Sequence, residues 1–302
     1  MLEVARTIEA SGYESLWVFD HFHTVPEPTQ EVTYEAWTLM AALAATTETV
    51  RLGQMCTSNS YRMPSYLAKV AANVDVISDG RLEMGIGAGW YEHEYLGYGY
   101  PFPKASVRID QLAEGVEIMH RMWGDGDEVV YEGRYYHLAG AINQPKPVQR
   151  PRIPTWIAGG GERRTLRVAA RFADYTNFGS SVDEFVHKSE VLAGHCRDVG
   201  RDVDEITRSI MFGAVVAATE REVVDKLDRY ENRMAAVVGP DKAAEMRAAY
   251  ERSVAVGTPD RIAERIEPWK AAGAEYVILY FPEAAYDRSG LELFASTIGA
   301  GS

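Results

Sequence analysis

The chain has 302 residues, of which 46% are hydrophobic and 25% are charged, so it can bury a core of α/β-barrel size. Its 44 acidic residues against 31 Lys and Arg give a formal net charge of −13, which argues against nucleic acid or an anionic membrane as the main partner. Cys56 and Cys196 form neither a CxxC motif nor a metal-binding spacing, and no apolar run is long enough to span a membrane or to direct secretion. We therefore expect a cytoplasmic protein with a small-molecule partner.

Short apolar segments alternate with helical patterns along the chain. The predicted strands are 15–19, 50–57, 82–87, 154–158, 175–178, 206–217 and 276–281. The predicted helices are 2–11, 33–47, 64–77, 106–123, 159–172, 182–199, 220–253, a helix from 258, and 290–297. This alternation predicts a parallel α/β fold, and the chain length favours a (β/α)8 TIM barrel. Because the chain begins within a helical pattern and shows seven strands, we expect the first barrel strand to be missing from it.

Two segments interrupt the alternation within what we interpret as a single domain over residues 1–302. Residues 124–152 form an insertion, predicted as a hairpin with Gly133 at its turn and a Pro-rich connector after it. Residues 220–255 form a helical excursion that is richer in charge and alanine than one crossover helix requires. We interpret the excursion as either a lid or a packing appendage.

Asp20 and His21 end the first predicted strand, where the mouth of a barrel lies. An imidazole there titrates near neutral pH and can exchange a proton with a substrate, which makes His21 the candidate catalytic residue. Alternatively, His21 caps the strand end through backbone hydrogen bonds. His23 completes a His-x-His pattern, but no third ligand is evident and we expect no metal.

Two glycine-rich segments also follow strands. Gly85, Gly87 and Gly89 do not match the dinucleotide fingerprint G-x-G-x-x-G, and we predict that they let the backbone approach a flat ligand closely. The alternative is a buried strand with a loose surface loop. The glycine loop 159–161 precedes a predicted helix whose free N–H groups and dipole favour a phosphate, assisted by residues 163–165; the alternative is a tight turn.

Six segments together resemble the bacterial luciferase-like oxidoreductases, in the same order and with similar gaps. They are 17–22 (WVFDHF), 52–57 (LGQMCT), 77–81 (ISDGR), 85–90 (GIGAGW), 100–103 (YPFP) and 156–161 (WIAGGG). Within that family, residues 20–26 and 85–95 most resemble the branch that uses coenzyme F420, a deazaflavin. The resemblance implies a TIM barrel with the cofactor ring at the C-terminal ends of the strands and hydride transfer to or from a small organic substrate. Family members often form homodimers.

The resemblance also assigns roles to individual residues. It implies that His21 is catalytic, that Asp20 orients it or binds the cofactor, and that a non-proline cis peptide lies at Met55–Cys56 or one residue to either side. The residues placed at the cofactor are Met55, Cys56, Thr57, Ser58, Gly87, Ala88, Gly89, Trp90, Gly159, Gly160 and Gly161.

Other interpretations stay open at this stage. Where some deazaflavin sugar-phosphate dehydrogenases carry a carboxylate and a tryptophan, this chain has Trp90 and Val25, so we do not carry their substrate over. Cys56 is interpreted as a buried thiol rather than a nucleophile, because no basic residue is adjacent. The alternatives to an F420-dependent enzyme are an FMN-dependent monooxygenase of the same fold and a barrel protein that binds a ligand without turnover.

Overall fold

The computed structural model describes residues 1–298 and shows an α/β fold built on one parallel sheet. The strands are β1 (Ser15–Val18), β2 (Arg51–Gln54), β3 (Thr57–Ser58), β4 (Leu82–Gly87), β5 (Val129–Glu132), β6 (His137–Ala141), β7 (Thr155–Ala158), β8 (Tyr175–Asn177), β9 (Thr207–Gly213), β10 (Val215–Val216), β11 (Val256–Gly257) and β12 (Tyr276–Tyr280). The helices are α1 (Leu2–Ala10), α2 (Ala36–Thr46), α3 (Pro64–Ile77), α4 (Glu92–Gly97), α5 (Ala105–Trp123), α6 (Thr165–Phe172), α7 (Val182–Val199), α8 (Glu220–Val238), α9 (Pro240–Glu251), α10 (Pro259–Ala271) and α11 (Ser289–Ile298).

The seven predicted strands lie side by side in the order β1-β2-β4-β7-β8-β9-β12, all parallel, and β3 adds a short pairing to β4. Each strand is next to the following one in the barrel sequence, as expected for repeated right-handed βα units. Among residues 1–298 no strand pairs β1 with β12. The two edge strands are bridged by a hydrogen bond of 2.6 Å between the hydroxyls of Ser15 and Tyr276.

Aromatic side chains fill the interior of the curved sheet. The ring of Trp156 stacks on Tyr175 at 4.1 Å between centroids and meets the edges of Trp17 at 4.6 Å and Tyr276 at 5.1 Å. The indole Nε1 of Trp156 donates a hydrogen bond of 2.7 Å to the buried carboxylate of Glu83. These side chains fill the interior, so a ligand site is expected at the C-terminal strand ends, where barrels of parallel strands hold their sites.

Several predicted boundaries are corrected by the structure. The strand predicted at 50–57 is two strands, β2 and β3, separated by a cis peptide at Met55–Cys56. The strand predicted at 206–217 divides into β9 and β10, and the region 220–253 divides into α8 and α9 at Gly239. The helix predicted to begin at Gly159 begins six residues later, at Thr165, and α4 forms where only a loop was predicted.

The insertion and the excursion take defined positions. β5 and β6 form the predicted antiparallel hairpin, in which the N–H of Gly133 donates to the carbonyl of Tyr136 at 2.9 Å. Helices α8 and α9 pack on each other, with the rings of Tyr230 and Tyr250 4.9 Å apart. Lys242 of α9 lies 3.5 Å from the carboxylate of Glu27, so the excursion contacts the loop that follows β1.

Candidate functional site

A buried histidine–carboxylate pair lies where β1 ends. The Nδ1 atom of His21 is 2.8 Å from Oε2 of Glu94, which belongs to α4 and is fully buried. A carboxylate only accepts hydrogen bonds, so the proton of this bond sits on Nδ1 of His21. The other ring nitrogen, Nε2, is left to exchange a proton with a ligand, which is the arrangement that a general acid–base requires.

Glu94 is the centre of this cluster. Besides His21, it accepts hydrogen bonds from the hydroxyl of Tyr61 at 2.8 Å and from the N–H groups of Phe22 at 2.6 Å and His23 at 3.3 Å. Burial by itself raises the pKa of Glu94, but the hydrogen bonds from His21 and Tyr61 outweigh it, and the pKa falls below its ordinary value. Glu94 is therefore ionised at neutral pH, and its charge is satisfied by four donors.

Sequence reasoning missed Glu94. Its only signal was an acidic residue within an aromatic segment, and a solvated helix face gives the same signal. The partner that was predicted for His21, Asp20, is occupied elsewhere: its carboxylate receives two hydrogen bonds from Arg62, at 2.7 and 3.0 Å, and one of 3.0 Å from the N–H of Ser58. Of the two roles implied for Asp20, the orientation of His21 is thus corrected, because Glu94 makes that contact, and the binding of the cofactor stays a prediction. Asp20 instead ties the end of β1 to β3.

The segment after β2 matches the sequence interpretation closely. The non-proline cis peptide is at Met55–Cys56, as the resemblance implied. Burial, and secondarily the charge of Asp20, raise the pKa of the Cys56 thiol to about 12, which agrees with an unreactive cysteine. Thr57 and Ser58 are buried, and the Ser58 hydroxyl lies 3.1 Å from that of Tyr95. Their contact with a cofactor stays a prediction.

The structure gives a packing reason for the glycines after β4. A Cβ at Gly89, where φ is +77°, would lie 1.8 Å from the hydroxyl of Tyr95, and one at Gly87 would lie 2.7 Å from Sγ of Cys56. Neighbouring protein atoms therefore leave no room for a side chain at these positions, and the close approach of a ligand to this backbone stays a prediction. Trp90 behaves differently: its side chain is 62% exposed, and its ring centroid lies 6.0 Å from that of His21. Gly87, Ala88, Gly89 and Trp90 as cofactor contacts stay predictions.

The glycine loop 159–161 follows β7 at the same end of the sheet and turns before α6. Gly159 has φ of +112°, and its N–H donates to the carbonyl of Asn177 at 3.1 Å. The ammonium of Lys188, on α7, would be 2.5 Å from a Cβ at Gly160, so a cation lies beside the loop. Lys188 was missed because it is 27 residues away in the sequence. Arg164, expected to assist, pairs with Asp110 on the protein surface.

Some kinds of site have no support in the part of the chain that the structure describes. Residues 1–298 contain no group of three or more His, Cys, Asp or Glu side chains that could hold a metal ion. Over the same residues, no helix combines the length and apolar character needed to cross a membrane.

The sequence of this chain is similar to the sequences of several oxidoreductases. The chain is similar to an F420-dependent glucose-6-phosphate dehydrogenase of Nocardia farcinica, with 27% identity over 305 residues that cover 93% of this chain and 88% of the relative. It is also similar to an FMNH2-dependent dimethylsulfone monooxygenase of Pseudomonas putida, with 24% identity over 307 residues that cover 93% of this chain and 83% of that protein.

Solved structures confirm the fold. An F420-dependent secondary alcohol dehydrogenase in complex with an F420-acetone adduct superposes with a TM-score of 0.80 at 21% identity, covering 100% of this chain and 94% of the other. The coenzyme F420-dependent tetrahydromethanopterin reductase of Methanopyrus kandleri superposes with a TM-score of 0.77 at 21% identity, covering 97% and 92%. The predicted luciferase-like barrel class is therefore confirmed.

The family model for luciferase-like monooxygenases matches residues 1–276, which is most of the chain. The family resemblance inferred from six short segments is thereby confirmed, and so is the predicted oxidoreductase class. This chain belongs to the luciferase-like monooxygenase family.

Proposed function

We propose that this protein is an F420-dependent oxidoreductase that acts on a small organic alcohol or carbonyl compound. The observation that carries the proposal is the His21–Glu94 pair, which presents an imidazole nitrogen at the C-terminal end of a parallel barrel sheet. The F420-dependent relatives described above support the choice of cofactor.

The residues present fit a phosphate-bearing deazaflavin. The glycine loop 159–161, the ammonium of Lys188 and the start of α6 combine backbone donors, a positive charge and a helix N-terminus beside one strand end. The bulge at Met55–Cys56 and the exposed ring of Trp90 lie at the strand ends between this loop and His21, where they would contact the ring system. A bound deazaflavin supplies the two-electron chemistry by accepting or donating a hydride.

His21 handles the proton in this mechanism. In the oxidative direction Nε2 of His21 takes the hydroxyl proton of the alcohol while the substrate carbon gives up its hydride. The C–H and O–H bonds break, the C–O bond becomes C=O, and an N–H bond forms at Nε2 of His21, while the hydride would leave for the bound deazaflavin. In the reductive direction His21 returns that proton to the oxygen. Glu94 holds the imidazole in the tautomer with Nδ1 protonated and stabilises the imidazolium that forms, as carboxylates do beside catalytic histidines.

The cofactor is tested by titrating the purified protein with F420 and with FMN and following the fluorescence of each. We expect saturable binding of F420 in preference to FMN. Tight FMN binding without F420 binding would support the second candidate, an FMN-dependent monooxygenase, for which the Pseudomonas putida relative provides the observation. Binding of neither would support a barrel without turnover.

The role of His21 is tested with His21→Asn, using His93→Asn as the matched control. His93 is a nearby exposed histidine whose ring contacts His23 at 3.1 Å. Loss of a general acid–base costs about 10²- to 10⁴-fold in rate, so we expect His21→Asn to lower kcat by about that factor while F420 affinity changes little. Equal losses of kcat and F420 affinity would show that His21 only positions the cofactor.

The assembly state is a separate prediction. A homodimer remains expected from the family resemblance, and size-exclusion chromatography with light scattering tests it: a species of one chain mass, 33.6 kDa, at micromolar concentration would contradict the dimer.

A further inference from the structure

A cleft of about 190 Å³ opens beside the proposed active site, between the loop that follows β1 and the helical excursion. One wall is formed by Val25, Pro26 and Glu27 of the loop, and the opposite wall by Tyr230 and Arg233 of α8. Tyr280, the last residue of β12, also lines the cleft together with Tyr286. Aromatic and aliphatic side chains therefore form most of the lining of the cleft.

Two aromatic rings, Tyr280 and Phe19, lie in contact between the cleft and the proposed catalytic histidine. The ring of Tyr280 lies 5.2 Å from that of Phe19, and Phe19 lies 6.4 Å from His21, measured between centroids. Phe19 and His21 follow β1, and Tyr280 is the last residue of β12; these are the two edge strands of the sheet. A substrate whose reacting carbon lies near His21 can therefore extend its body over Phe19 and Tyr280 into the cleft.

The only cation in the lining of the cleft, Arg233, is already neutralised. Its guanidinium binds both carboxylate oxygens of Glu283, which is buried, and stacks on the ring of Tyr286 with the central carbon 4.4 Å from the ring centroid. Its Nε–H is buried and has no hydrogen-bond partner among the described residues. Such a bidentate pair is strong and geometrically fixed, so Arg233 is not available to bind an anionic ligand.

The remaining charges of the cleft also disfavour an anionic ligand. Two further carboxylates, Glu27 and Glu31, line it. Lys242, which lies close by, is shared between Glu27 at 3.5 Å and Glu245 at 3.3 Å. With carboxylates in excess of cations, the cleft repels anions and accepts uncharged groups, which pay no desolvation penalty for a missing counter-ion.

We propose that this cleft takes the body of an uncharged aromatic alcohol or ketone and selects against substrates that carry a phosphate or carboxylate. This inference rests on the proposed function only for the identity of the reacting group, since the charge preference follows from the cleft itself. The pair Arg233–Glu283 is then a specificity determinant: the carboxylate removes a cation that would otherwise attract an anionic substrate.

The test compares two ketones that differ only in charge, acetophenone and 4-acetylbenzoate. Their dissociation constants for the F420-loaded protein are measured by ligand-observed NMR, which needs no turnover. We expect wild type to bind acetophenone at least tenfold more tightly. Glu283→Gln preserves the shape of the side chain but removes the negative charge that pairs with Arg233. We expect this variant to lower the ratio of the 4-acetylbenzoate and acetophenone dissociation constants at least fivefold. Glu251→Gln, which removes a carboxylate from Arg247 in an exposed ion pair of α9, is the matched control and should leave the ratio unchanged.

Glu27→Gln provides a second variant if Glu283→Gln fails to fold, since Glu27 is exposed in the loop. We expect Glu27→Gln to lower the ratio of the two dissociation constants about twofold. A wild-type preference for 4-acetylbenzoate, equal affinities, binding of neither ketone, or an unchanged ratio in both folded variants would overturn the proposal. If F420 does not bind but the unloaded protein shows the expected ketone ratios, the proposed function fails while the charge preference stands.

Discussion

Two buried carboxylates flank the mouth of the barrel and hold different kinds of base. Glu94 binds the imidazole of His21, whereas Glu283 binds the guanidinium of Arg233, which stays charged. The first pairing leaves a nitrogen free for chemistry. The second ties up a cation and removes it from ligand recognition. In our proposals, the first pairing serves catalysis on one side of the mouth and the second serves specificity on the other.

The largest expected effect concerns the catalytic pairing. Glu94→Gln keeps the shape of the side chain but removes the charge that fixes the His21 tautomer. We expect kcat to fall by about 10²-fold, within the range for disturbed acid–base catalysis, with KM and F420 affinity changed less than threefold. Steady-state kinetics with F420 and acetophenone or 1-phenylethanol measure both parameters. A rise in KM with kcat unchanged would show that Glu94 acts on binding alone.

The same carboxylate contributes to stability, and it does so in a pH-dependent way. The pKa of Glu94 is lowered in the folded chain, so its stabilisation is fully present above the ordinary carboxyl pKa and is lost as the pH falls through the lower, folded value. We expect Glu94→Ala to lose about 3 kcal/mol at pH 7, because it leaves buried donors unpaired. Urea unfolding of both proteins at pH 7 and pH 4 measures this. A difference that grows as the pH falls would contradict the sign.

Lys188 differs from Arg233 in the position of its ion-pair partner. The partner of Lys188, Glu184, is on the surface, so a ligand can replace it. Lys188→Ala should weaken F420 affinity by about tenfold, since one charge-assisted contact with a phosphate contributes about 1.5 kcal/mol. Lys270→Ala, an exposed lysine of α10, is the control and should change the affinity less than twofold. Fluorescence titration measures both. Equal effects would indicate that only overall charge matters.

The smallest expected effect is at Cys56. Because the pKa of its thiol is about 12, the thiolate is scarce at pH 8. Burial also raises the pKa of Cys196, the other free cysteine. Native protein should therefore incorporate almost no iodoacetamide within an hour, and protein in 6 M guanidinium should incorporate two groups, as counted by mass spectrometry. Rapid native labelling of Cys56 would show that the strand end is open.

The sequence allowed the fold and one side of the site to be predicted. Apolar runs bounded by polar residues located the seven strands, and the position of His21 at a strand end placed it at the mouth. The partners of these residues were not predictable, because Glu94 lies 73 residues from His21 and Glu283 lies 50 residues from Arg233. Only tertiary packing brings them together, and a buried carboxylate has the same sequence signature as a solvated one.

For the glycines after β4, the sequence indicated the positions but not the atoms that lie beside them. Gly87 and Gly89 were predicted to let the backbone approach a ligand, but the sequence cannot tell whether a ligand or the protein occupies the space that a side chain would need. In the structure Cys56 and Tyr95 fill it. The cis peptide at Met55–Cys56 was predicted from the family resemblance alone, since local composition gives no signal for it.

The most direct test of the account is a single-turnover experiment that separates cofactor binding from proton and hydride transfer. Protein loaded with reduced F420 is mixed with the ketone that wild type reduces fastest among acetophenone and its analogues, and F420 fluorescence reports the step. We expect the F420 affinities of wild type, Glu94→Gln and His21→Asn to agree within about threefold. We expect the rate of proton and hydride transfer to be lower by about 10²-fold or more in both variants than in wild type. Transfer at the wild-type rate in His21→Asn would contradict the account.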